Sequence, residues 1–143
     1  MKVADQRFAD IKEGEIYQFT RKITFDDVLK FADLTGDFNP LHVDKEFGKN
    51  SQFKQNIVHG MLAGSLFSTL VGMNCPGKNS LYLSQTLNFK KPIFYDDTIT
   101  VKGTVIAKND VIHLITLKTE IIKEGKVCIN GEAKIIVLEY HNE

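Results

Sequence analysis

The feature that most constrains this chain is the run Ile57-Val58-His59-Gly60-Met61-Leu62-Ala63-Gly64-Ser65-Leu66-Phe67-Ser68-Thr69-Leu70-Val71. It is apolar nearly all round and holds no Asp, Glu, Lys or Arg. Its length suits a helix rather than a strand. A helix without a polar face has to be buried. Gly60, Ala63, Gly64, Ser65 and Ser68 are small enough to let other backbone come close. The run therefore predicts one helix enclosed by a sheet, opening at His59-Gly60 and ending around Gly72. It is too short, and too rich in Gly and Ser, to read as a membrane span.

The rest of the chain has to supply the enclosing sheet. Glu15 to Ile23 reads as a first strand. Thr24, with Asp27 three residues on, reads as a helix start closed by a capping box. The inner face of that helix is expected at Val28, Phe31, Ala32 and Leu34, and its end near Gly36. Asp44 is placed to cap a short turn at 45–47, and residues 48–56 read as a polar loop. Pro76-Gly77 marks a turn. From Ser80 the period becomes two: Leu81, Leu83, Leu87 and Phe89 alternate with Tyr82, Ser84, Thr86 and Asn88, until Pro92. Ile99, Val101 and Val105 mark the next strand, with Gly103 a candidate bulge. Asn109-Asp110 and Lys123-Glu124-Gly125-Lys126 are turn signals on either side of a strand from Val111 to Ile122. Val127, Ile129, Ala133, Ile135 and Val137 line one face of a long last strand. Strands joined by hairpins favour an antiparallel sheet. The expected class is α+β: one strand, helices, then a meander around the central helix.

At 143 residues the chain fits a single domain, 1–143, with room for a core. Eighteen basic and 18 acidic residues balance, so no electrostatic footprint for nucleic acid exists. Cys75 and Cys128 match no zinc spacing and read as reduced thiols of a cytoplasmic protein. The polar start Met1-Lys2-Val3-Ala4-Asp5 carries no signal-peptide pattern.

The chemistry concentrates in Thr35-Gly36-Asp37-Phe38-Asn39-Pro40-Leu41-His42. Gly36 ends a helix, and Pro40 disfavours helical geometry at Asn39. On a continuous helix Asp37 and His42 would splay apart. A broken backbone turns both toward one point, and an acid beside an imidazole makes a proton-transfer site. Taken singly, Asp37 is a turn cap and His42 a loop histidine; the density of such residues favours chemistry. The segment fails the calcium-loop pattern, since the sixth position from Asp37 is His42 and the twelfth is Gly48. It also lacks the helical His-x-x-x-His of zinc hydrolases, so no metal is expected. Gly72-Met73-Asn74-Cys75-Pro76-Gly77-Lys78-Asn79 nearly spells a phosphate loop. Asn79 lacks the required hydroxyl, and the helix precedes rather than follows.

The Gly60 amide, at the start of the buried helix, has no partner within that helix and sits at its positive end, which makes it a candidate oxyanion donor. His59 either satisfies a buried backbone group or supports the site. Ser65 and Ser68 either bind a ligand or bond back to their own helix. Lys90 and Lys91, before Pro92, are weak candidates for a phosphate. His113 and His141 carry no usable spacing.

The stretch Phe31-Ala32-Asp33-Leu34-Thr35-Gly36-Asp37-Phe38-Asn39-Pro40-Leu41-His42, followed by Val58-His59-Gly60-Met61, resembles the MaoC-like dehydratases. The nearest type is the short, single-domain R-specific enoyl-CoA hydratase, and the likeness runs from about Tyr17 to Val137. Gly48 departs from it, where the family commonly has Ala or Ser. The resemblance implies a hot-dog fold, in which an antiparallel sheet wraps a long helix. It implies a homodimer with sheets joined edge to edge, and an acyl-CoA substrate hydrated to the R-3-hydroxyacyl-CoA without cofactor. By resemblance Asp37 and His42 are the catalytic pair, Asn39 holds the catalytic loop, Gly60 polarises the thioester and Ser68 supports the site. A dehydratase acting on acyl carrier protein thioesters, a hot-dog thioesterase, and a non-catalytic acyl-thioester-binding module are the alternatives.

Overall fold

A computed structural model describes residues 2–140. After a short 3-10 turn at Phe8–Asp10, the elements run β1 (Ile16–Lys22), α1 (Phe25–Thr35), α2 (Pro40–Val43) and α3 (Lys45–Asn50). The central helical rod follows: α4 (Gly60–Gly64), α5 (Leu66–Thr69) and a π-helical turn (Leu70–Asn74). Then come β2 (Ser80–Gln85), β3 (Asn88–Phe89), β4 (Thr98–Asn109), β5 (Leu114–Lys123) and β6 (Lys126–Val137). The sheet is antiparallel in the order β1-β4-β5-β6-β2, with β3 on β6. This is the hot-dog arrangement, and it places helices 25–74 between two edge strands.

Local chemistry sets most element ends. Thr24 Oγ1 accepts from the Asp27 amide at 3.1 Å, and Asp27 Oδ2 accepts from the Thr24 amide at 2.9 Å, closing the capping box of α1. Gly36 ends α1 at φ +83°, a conformation that costs a glycine nothing. Val28 and Ala32 are buried as expected, but Leu34 is 85% exposed. Six residues from Val28 is one and two-thirds turns, which carries Leu34 off the inner face. Asp44 caps α3, which runs three residues beyond the expected turn and absorbs Gly48.

The long central helix is three consecutive segments rather than one uniform rod, broken at Ser65 and loosened to π geometry from Leu70. It is not enclosed on every side: Met61 is 60% exposed, and Ser65 and Ser68 share its open stripe. Its other faces fill the core. Ala63, Leu66, Phe67 and Leu70 pack with Val28, Ile99, Val101, Ile121 and Ile129. Val71 and Cys75 pack with Phe8, Ile11, Ile115, Leu117 and Ile135.

Two strand readings shift. The bulge in β4 lies between Val105 and Ala107, not at Gly103, which pairs regularly with Thr119 and sits beneath Leu70. The stretch from Ser80 is two strands, with Tyr82 packed on the core and Leu81 and Leu83 facing out.

After β2, residues 86–91, which include β3, form a strap over the first half of the rod. The Thr86 amide donates to the Glu132 carbonyl at 2.9 Å, and the Lys90 amide to the Cys128 carbonyl at 2.8 Å. Three glycines let the strap lie close. A β-carbon on Gly131 would stand 1.8 Å from the Thr86 carbonyl oxygen. One on Gly64 would meet Leu87 at 3.1 Å, and one on Gly60 would meet the Phe89 ring at 2.7 Å.

Candidate active site

The loop after α1 is wound by its own polar side chains. Thr35 Oγ1 donates to the Phe31 carbonyl at 2.7 Å and accepts from the Asp37 amide at 3.3 Å. Asp37 Oδ1 accepts from the Asn39 amide at 3.2 Å, and Asn39 Oδ1 accepts from the Leu41 amide at 3.0 Å, capping α2. Pro40 begins α2, where its missing N–H is no loss. Each of these short residues replaces a helical bond with a turn, and the sum bends Asp37 and His42 toward one another.

His42 Nδ1 lies 2.7 Å from the Ile57 carbonyl oxygen, which can only accept. The hydrogen is therefore on Nδ1, and Nε2 keeps its lone pair when the ring is neutral. His59 Nε2 donates to the Asp37 carbonyl at 3.0 Å. The His59 ring stacks on His42 with centroids 4.0 Å apart and meets Phe31 at 4.8 Å. Its side chain is 3% exposed, whereas that of Asp37 is 51% exposed and open to solvent. One Asp37 oxygen and one ring nitrogen each from His42 and His59 lie within 4.8 Å of one another. The His59 ring atom facing that carboxylate is Nε2, 3.9 Å from Asp37 Oδ2, and because it donates to the Asp37 carbonyl it offers no lone pair to a cation. An exposed carboxylate and an imidazole lone pair are both groups that can take a proton from a water.

Gly60 follows directly, with His59 as the residue before the rod, so its amide faces outward from the first turn. It lines a cavity of about 400 Å³ with Phe53, Ile57, Met61, Phe89, Lys90 and Lys91 among its walls. The lysine pair thus sits at the same opening as the candidate oxyanion donor. Ser65 Oγ donates back to the Leu62 carbonyl at 2.6 Å and lines a second cavity beside Phe31 and Leu34. The Ser68 hydroxyl is exposed and makes no hydrogen bond among the described residues. Neither serine is joined to Asp37 or His42. His113 sits far along the chain against Phe8 and Glu139, and His141 lies outside the described residues.

One residue gave no sequence signal. Asn56, in the stretch read as a loop, is 2% exposed. Its Nδ2 donates to the carbonyls of Asp44 (2.8 Å) and Leu41 (3.0 Å), with Pro40 at 3.4 Å. Lys54 and Gln55 precede it, so nothing in the sequence set it apart. Its Oδ1 is buried without a partner among the described residues, which costs about 1–3 kcal/mol.

Burial holds the His59 imidazole below its ordinary 6.5, and neighbouring His42 adds to this; the bond to the Asp37 carbonyl and the Asp37 charge act the other way. The folded chain thus resists a proton that the unfolded chain accepts. This stability is full above pH 6.5 and is lost as pH falls toward the lowered folded value. Melting temperature should drop between about pH 7.5 and about pH 5.5, and the drop should be shallower in His59→Gln. Identical slopes would remove His59 as the cause.

The chain has relatives among known proteins. The chain is 40% identical over 126 residues to the (R)-specific enoyl-CoA hydratase of Aeromonas caviae, covering 87% of this chain and 94% of that one. It is 37% identical over 126 residues to a mitochondrial 3-hydroxyacyl-[acyl-carrier-protein] dehydratase of Solanum lycopersicum, covering 86% and 75%. An unliganded R-hydratase from Pseudomonas aeruginosa superposes with a TM-score of 0.91 at 33% identity, covering 96% and 89%. The family model described as a MaoC like domain matches residues 8–127, and the chain belongs to that family.

Proposed function

We propose that this chain catalyses the reversible R-specific hydration of 2-enoyl-CoA to R-3-hydroxyacyl-CoA. The observation that carries the reading is the exposed Asp37 carboxylate beside a His42 ring whose Nδ1 is tied to Ile57 and whose Nε2 has no partner among the described residues. Water held there gives its oxygen to C3 and a proton to the pair. C2 receives a proton returned through the same pair. Negative charge builds on the thioester oxygen meanwhile, and the Gly60 amide stabilises it; losing such a donor costs about 100-fold or more. Asn39 and His59 hold the loop. Ser65 and Ser68 support the acyl side of the rod, and Lys90 and Lys91 meet the CoA phosphates. Adding water changes no net oxidation state, so the reaction needs no redox group.

The working form is a homodimer joined through β2. That edge strand, Ser80–Gln85, has no charge and no proline and exposes Leu81 and Leu83, so it lacks the usual guards against pairing. The cytoplasm is the proposed location; among the described residues no helix is long and apolar enough to cross a membrane.

The test follows the loss of enoyl absorbance with crotonyl-CoA and longer enoyl-CoAs, with chiral analysis of the product. R-3-hydroxyacyl-CoA is the expected product. Release of free CoA would point to a thioesterase, and binding without turnover to a passive module. The similarity to a carrier-protein dehydratase favours one second reading, in which the same residues act on acyl carrier protein. Faster turnover of the carrier-protein thioester than of crotonyl-CoA would establish it.

A further inference from the structure

We propose that Asn56 is a positioning residue for His42, and that Gly48 is glycine because the Asn56 amide fills the space a β-carbon would need. The first half rests on donors and acceptors. A four-residue helix such as α2 cannot satisfy its own last carbonyls. The Asn56 Nδ2 group has two hydrogens, and the two shortest contacts are to the carbonyls of Leu41 and Asp44. Those two carbonyls flank His42 and Val43. The next residue completes the grip: the Ile57 amide donates to the Leu41 carbonyl at 3.3 Å, and the Ile57 carbonyl accepts from His42 Nδ1. Segment 56–57 thus fixes both the backbone that carries His42 and the tautomer of its ring. The amide cannot turn over, since Oδ1 would then face three carbonyl oxygens.

The second half rests on space. A β-carbon on Gly48 would stand 2.6 Å from both the backbone nitrogen and Nδ2 of Asn56, and 2.9 Å from its Cγ. Gly48 has no positive φ to require glycine. The close approach is what requires it.

The catalytic half of this inference rests on the hydratase reading, so the test has a readout that needs no substrate. Asn56→Asp keeps the shape and puts an oxygen where the donor was; Asn56→Ala removes both. In the wild-type protein the nitrogen NMR signals of His42 should report the Nδ1–H tautomer alone. In both variants the two tautomers should mix, and kcat on crotonyl-CoA should fall about 10- to 100-fold with KM changed by less than about 3-fold. Gly48→Ala should reproduce that loss, and in the Asn56→Ala background should add less than it does in the wild type, since only the clash with the residue-56 backbone nitrogen remains. An unchanged His42 tautomer with wild-type kcat per folded molecule, in the Asn56 variants or in Gly48→Ala should those fail to fold, overturns the proposal. Losses at 48 and 56 that simply multiply overturn the pairing. Should the wild-type protein leave crotonyl-CoA untouched, the hydratase reading falls and the tautomer alone decides the role of Asn56.

Discussion

Asp37→Asn is expected to lower kcat for enoyl-CoA hydration by about 1,000-fold, within the 100- to 10,000-fold range for a positioned proton-transfer group. The fold should survive. The Asp37 side chain is half exposed, and its one hydrogen bond within the loop is to Oδ1, which accepts from the Asn39 amide. Asparagine keeps that oxygen and loses only the charge and the capacity to take a proton. Circular dichroism and melting temperature should therefore stay near the wild-type values while turnover collapses. A fully active Asp37→Asn protein would take the carboxylate out of the reaction and leave His42 to carry it alone. Asp37→Ala would be a poorer test, because it also removes the turn bond and mixes loop disorder with lost chemistry.

Gly131→Val should be the most damaging single change to the scaffold. The β-carbon would sit 1.8 Å from a backbone carbonyl oxygen, that of Thr86, and backbone cannot step aside as a flexible side chain can. Either β6 or the strap must move. Moving the strap breaks the Thr86–Glu132 bonds, at 2.9 Å in both directions, and lifts Leu87 and Phe89 from the rod. The expected loss is about 4 kcal/mol or more, which lowers the melting temperature by about 10 °C. Any folded remainder should bind acyl-CoA less tightly, since Phe89, Lys90 and Lys91 line the cavity at Gly60. Gly72→Ala is the control: nothing lies within 4 Å of its β-carbon position and its φ is ordinary, so melting should barely change. A Gly131→Val protein that melts with the wild type would mean that the strap is not pinned at Thr86.

What could be read in advance was whatever is decided within a few residues. Thr24 and Asp27 cap α1 because capping needs only a three-residue reach. The loop from Thr35 to His42 bends because Thr35, Asp37 and Asn39 each accept a bond from an amide two positions on. Readings failed where the deciding partner is distant in the chain. Asn56 acts on carbonyls 12 to 16 residues back, so composition shows only a polar residue among others. Gly48 stood out only as a departure from the resemblance; what demands it is the Asn56 amide, eight residues on. The alternation after Ser80 was real, yet period two does not say which set faces in; the core beside Tyr82 decides that. The apolar run at 57–71 was correctly placed as the central rod, but its open stripe at Met61, Ser65 and Ser68 depends on where the sheet stops.

The order of strands has a consequence for how the chain reaches its native state. β1 pairs with β4, so Ile16 finds Thr104 only after everything between them has been made. β4, β5 and β6 are neighbours in sequence, joined by short turns, and can zip together quickly. Contacts that close such long loops form late and slowly. A nascent chain therefore presents the apolar rod to the cell with only β1 made, before β4, β5 and β6 exist to cover it. This interval, rather than the finished molecule, is where aggregation competes, and where help from a chaperone would raise the yield.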